Sequence, residues 1–197
     1  MGGRELGKGV LGGAAAGAVG TTALELVSGV DAVVRGRPSR DAPARLVEAV
    51  LSAAALGAAS GARSTAGIAA LAFTSSPDDN GRIASKLGSR AGRIGAAVSA
   101  GGELVADKLP ATPARTGPPG LAARVVLGGI AAAGVAARKG EGPGVPVLVA
   151  VGTAVAAAFL GERLRGVVAG RLGSDLPGAF SEDVLAALLA LWGARRR

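Results

Sequence analysis

GGELVADKLPATPARTGPPGLAAR, residues 101 to 124, is where acids, bases and prolines crowd between two Ala/Gly-rich apolar runs. Glu103 and Asp107 lie four residues apart and share one helix face, and Lys108 follows at once. Pro110, Pro113, Pro118 and Pro119 then forbid a helix interior and stiffen a turn that carries Arg115. Arg124 opens the next apolar run. The stretch reads as two helices joined by a polar turn. What surrounds those helices decides the fold. The seven-residue step from Glu103 to Pro110 is about 10 Å of helix, a large part of the way to the midplane of a hydrocarbon core about 30 Å thick. A carboxyl at that depth is protonated or paired with Arg63, Arg115 or Arg124, whereas a tilted or shorter helix leaves it wet. Asp107, three residues from Pro110, fits an interfacial position.

Composition favours lipid over water. Of 197 residues, 49% are hydrophobic but only 2% aromatic, while Gly alone supplies 34. Few large side chains are left to fill a water-soluble core, and small residues let helix backbones approach closely in a membrane. The alternative is a soluble Ala-rich helical protein. A single Trp and no Tyr leave the usual interfacial aromatic belt nearly empty. The chain has neither Cys nor His, which excludes disulfides and thiolate sites and removes the commonest general base and transition-metal ligand. These absences argue against an enzyme, a metal centre and a cofactor. The net charge of +8 is scattered between apolar runs without interleaved aromatics. It suits anionic lipid headgroups better than nucleic acid.

The chain divides into an N-terminal helix with a basic loop, residues 1 to 45, and a membrane domain, residues 46 to 197. Gly9, Gly13 and Gly17 recur every four residues and mark a face for another helix or a second copy of the chain. A helix is predicted over 9 to 34, followed by the polar turn RGRPSRDAPAR at 35 to 45. The run 46 to 73 would be about 42 Å long as one helix, so it tilts or breaks, and SGARS at 60 to 64 is the natural break. Arg63 lies at that break, either as an intramembrane site residue or where two short helices meet at a surface. PDDNG at 77 to 81 is a loop, and a helix is predicted over about 87 to 108.

Further spans are predicted at 120 to 137 and 142 to 161, the latter with 20 uncharged residues. The stretch 184 to 194 is too short to cross unless Glu182 and Asp183 enter with it. Those acids either partner the central arginines or occupy a first helical turn N-capped by Ser181; the second reading is preferred. Trp192 and the terminal arginines read as an interfacial anchor. Basic residues divide evenly between the two sides of a six-span arrangement, which leaves orientation undecided.

Residues 102 to 125, GELVADKLPATPARTGPPGLAARV, resemble the central signature of a family of small bacterial membrane proteins, domain of unknown function 4126. GARSTAGIAALA at 61 to 72, GERLRGVV at 161 to 168 and SEDVLAALLA at 181 to 190 are similar to that family's pattern. The likeness spans about residues 46 to 195 and departs at Ala114, where the family pattern has a serine. It implies an integral membrane protein and no particular activity.

The expectation is therefore an all-α polytopic transmembrane bundle of five or six Gly/Ala-rich spans in the cell membrane. Two functions fit it. In one, Arg63, Glu103, Asp107, Lys108, Arg115 and Arg124, with Glu182 and Asp183, form part of a solute or ion path. In the other, the same charges are ion pairs holding a non-transporting envelope component in register.

Overall fold

The computed structural model describes residues 42–106, 116–172 and 176–195. Gly9, Gly13 and Gly17, and with them the N-terminal helix, lie outside the described residues, as do Asp107, Lys108 and Arg115. The described residues form seven helices and no strand: α1 (Ala42–Ala62), α2 (Ala66–Thr74), α3 (Arg82–Gly88), α4 (Arg90–Ala106), α5 (Pro118–Arg138), α6 (Gly144–Leu172) and α7 (Leu176–Gly193).

Local sequence sets these limits. α5 opens with Pro118, whose missing N–H is no loss at a first helical position. It closes on Gly140, whose φ of 73° lets the Gly140 and Glu141 N–H groups turn back onto the carbonyls of Ala137 and Ala136. The 46 to 73 run does not continue as one helix: α1 stops at Ala62 and α2 begins at Ala66. Contacts show that α2 folds back along α1, since Gly67 faces Ser60 and Leu56. The two helices make a hairpin with Arg63, Ser64 and Thr65 in its turn.

Among the described residues three helices, Ala44–Ala62, Pro118–Arg138 and Gly144–Arg171, are long and apolar enough to cross a membrane. That is fewer than the five or six expected, of which the 9 to 34 span lies outside the described residues. The hairpin leaves α2 with nine residues. α4 begins with Arg90 and Arg93 and reaches Glu103 before it ends, and α7 has 18 residues with Glu182 and Asp183 in its first half.

The interior is made of small residues. Among the described residues the buried apolar side chains are alanines, save Leu56, Leu71 and Val135. α1 packs most extensively on α6, where Gly57 meets Ala150 and Thr153 and Gly61 meets Ala154 and Ala157. Large apolar side chains face outward instead, among them Leu148, Phe159 and Leu160 on α6 and Leu185, Leu188 and Leu191 on α7. In water each of these would forgo about 1.5 to 3 kcal/mol of burial. Small inside and large outside is the arrangement that helix association in lipid requires.

Charge is layered. At one end Lys139 pairs with Glu48, and Arg138 reaches the last residues of α2 and α7. At the other end lie Arg63, Glu103, Arg124, Arg165, Glu182 and Asp183. Between the layers the helices carry no Asp, Glu, Lys or Arg: residues 49–62, 66–74, 94–102, 125–137, 144–161 and 184–193 are uncharged.

Candidate functional site

The second layer gathers around the α1–α2 turn. Ser64 and Thr65 stand just ahead of α2, and their own N–H groups lie outside its ladder of hydrogen bonds. Glu103, from the last part of α4, supplies the acceptors. One of its oxygens accepts from the Ser64 N–H at 2.7 Å and the Ser64 hydroxyl at 2.8 Å. The other accepts from the Thr65 N–H at 3.0 Å and the Thr65 hydroxyl at 2.5 Å. A carboxylate at a helix N-terminus also meets the positive end of the helix dipole.

The opposite end of α2 is matched with cations. Arg93 donates to the carbonyls of Ala72 (3.3 Å) and Ser75 (2.6 Å). Arg138 donates to the Thr74 carbonyl and hydroxyl, at 3.3 and 3.1 Å, and to the Ser75 hydroxyl at 3.1 Å. It also donates to the Ala194 carbonyl, so one guanidinium ties the ends of α2, α5 and α7 together. A nine-residue helix too short to be stable alone is thus held by an anion at its start and two cations at its end.

Glu103 belongs to α4, outside the three membrane-competent helices. Burial pushes its carboxyl up, but the hydroxyl and amide donors of Thr65 and Ser64 outweigh burial and hold it below the ordinary value. A lowered pKa contributes stability that is complete above the unfolded value and is lost as pH falls through the folded one. Thermal unfolding of the solubilised protein should therefore show a loss of stability below about pH 4.3, the ordinary glutamate value. Glu103→Gln should flatten that part of the profile; an unchanged profile would mean that Glu103 does not couple to folding.

Arg63, adjoining the same turn, donates from Nε to Asp183 Oδ1 at 2.6 Å and from a terminal nitrogen to Oδ2 at 2.9 Å, a two-pronged pair. Arg165 lies 3.6 Å from Glu182. These contacts correct the preferred sequence reading of the last segment. α7 starts five residues before Ser181, whose hydroxyl bonds the Gly178 carbonyl within the helix at 2.9 Å, so Ser181 is not the N-cap. Arg124 neither snorkels nor reaches water. It is 5% exposed and donates to the carbonyls of Gly61 (3.1 Å) and Gly120 (3.0 Å), joining α5 to the last turn of α1.

A pocket of about 340 Å³ opens between α2, α4 and α7. Arg63, Thr65, Glu103 and Asp183 contribute its polar lining, and alanines with Phe73, Leu104 and Leu191 supply the remainder. Ser64 and Thr65 were the residues that charge pattern alone does not find. Their signal is a Ser-Thr pair directly before an apolar helix, the pattern of an N-terminal cap. Among the described residues no group of three acidic side chains stands close enough to hold a metal ion.

Comparison with protein-family models, curated proteins and solved structures finds no match. The resemblance to domain of unknown function 4126 stands on its motifs alone.

Proposed function

We propose that this chain is a helical integral membrane protein that binds a solute at the Arg63, Glu103 and Asp183 end of the pocket, as part of a path through the bundle. The observation that carries the reading is the conjunction of that pocket with a broken helix: two carboxylates and a guanidinium converge where α1 ends and α2 begins. Helices interrupted beside a cavity are how membrane bundles present backbone and charge to a solute. The membrane assignment is supported by three membrane-competent helices, the uncharged layer and the outward-facing Leu and Phe side chains. Crossings beyond those three would require α7 or α4 to enter the bilayer with their acids facing the bundle.

A second reading, a non-transporting envelope component, is favoured by the completeness of the pairing. Glu103 accepts four hydrogen bonds, and Arg63 and Asp183 engage each other at both ends. Solute flux into proteoliposomes separates the two. Flux in the parent that is lost in Glu103→Gln, with the mutant still folded, is the expected result. A parent without flux and a Glu103→Gln protein that aggregates would establish the structural role.

A further inference from the structure

The pocket wall is almost wholly apolar, with charged side chains at one end only, and that asymmetry specifies a ligand. Its charged lining lies at the α1–α2 turn, while α7 continues from Asp183 to Leu191, about 12 Å of helix rise, with only alanine and leucine contributing to the wall. Its volume, about 340 Å³, is at the lower end of small-molecule sites. Phe73, Leu104 and Leu191 line it and are themselves about half exposed on the bundle's surface. The opening therefore gives onto the apolar exterior, and a ligand arriving through it would come from the hydrocarbon phase. At the polar end one guanidinium faces two carboxylates, and the Asp183 side chain is 34% exposed. A carboxylate has about four acceptor sites, so the two that Asp183 gives to Arg63 leave capacity for a further donor.

Resting on the membrane reading above, we infer that the slot between α2, α4 and α7 binds a membrane-dissolved amphiphile: an aliphatic chain along Ala69 and Ala187, and an ammonium head against Asp183. An anionic head of the same chain length would meet the excess of carboxylate and be disfavoured.

The test is a titration of the full chain, extracted from membranes in detergent, with dodecylamine or dodecanoate near neutral pH, read by native mass spectrometry. Retention of dodecylamine with an affinity about tenfold or more above that of dodecanoate is expected. Ala187→Leu and, separately, Ala69→Leu fill the slot from positions outside the buried core and should abolish retention; Asp183→Asn should narrow the preference between heads. Retention unchanged in both leucine variants, equal retention of the two amphiphiles, or retention of neither would overturn the inference. The membrane reading is scored separately by fractionation of the same cells: a membrane-bound chain that retains neither amphiphile overturns the slot alone, whereas a chain soluble without detergent overturns both.

Discussion

Gly57→Ala should separate α1 from α6 and cost the bundle about 3 kcal/mol, the upper part of the usual range for overpacking. A Cβ at Gly57 would sit 2.7 Å from the Ala150 Cα and closer still to the Ala150 carbonyl and the Thr153 hydroxyl. Two of these three atoms are backbone and cannot turn aside, so the helices must part along their whole crossing. Gly61, one turn on, faces the Ala154 carbonyl and the Ala157 methyl in the same way. Gly152→Ala on α6 is the control, because nothing lies within 4 Å of its added methyl and the change should be neutral or stabilising by up to about 1 kcal/mol. Thermal unfolding in detergent should fall in Gly57→Ala and stay level or rise in Gly152→Ala. Equal shifts would mean that α1 and α6 are not in close contact in the folded protein.

Arg63→Ala should be a damaging loss of a charge. It strands Asp183 at a depth where the two side chains are only 14% and 34% exposed, and breaking a fully buried pair costs about 3 to 5 kcal/mol. With Asp183 one-third exposed, a cost of about 2 kcal/mol is the better expectation. Asp183→Ala alone should be damaging for the converse reason, and the double variant should recover part of the loss. A double-mutant cycle yielding a coupling near zero would show that the pair is an ordinary solvated contact.

The helical architecture was legible because Ala and Gly dominate the runs between charges, and the break near residue 62 was legible because Ser, Gly and Arg interrupt an apolar run there. Of the expected spans, 46 to 73, 120 to 137 and 142 to 161 each yield one membrane-competent helix, whereas α4 and α7 carry too many charges for their apolar length, and the 9 to 34 span lies outside the described residues. Pairing of Glu182 and Asp183 with the central arginines was the less favoured of two sequence readings. Arg63 and Asp183 are 120 residues apart, and only the side-by-side order of α1 and α7 brings them together. Glu103 was singled out by depth and charge, yet it is met by hydroxyls and amides of Ser64 and Thr65, which no charge pattern marks. The Gly57–Gly61 contact obeys the same four-residue rule that marks Gly9, Gly13 and Gly17, and was legible in principle.

The uncharged layer also sets a thickness. On α5, Val125 to Ala137 span about 20 Å, against about 30 Å for an average hydrocarbon core. Arg124 cannot lengthen that belt by reaching outward, because its guanidinium is anchored to carbonyls inside the bundle. Acyl chains beside α5 would have to compress or splay to match it, at a cost that accumulates with each ångström of mismatch. Short-chain or disordered lipids would accommodate that side of the bundle most readily.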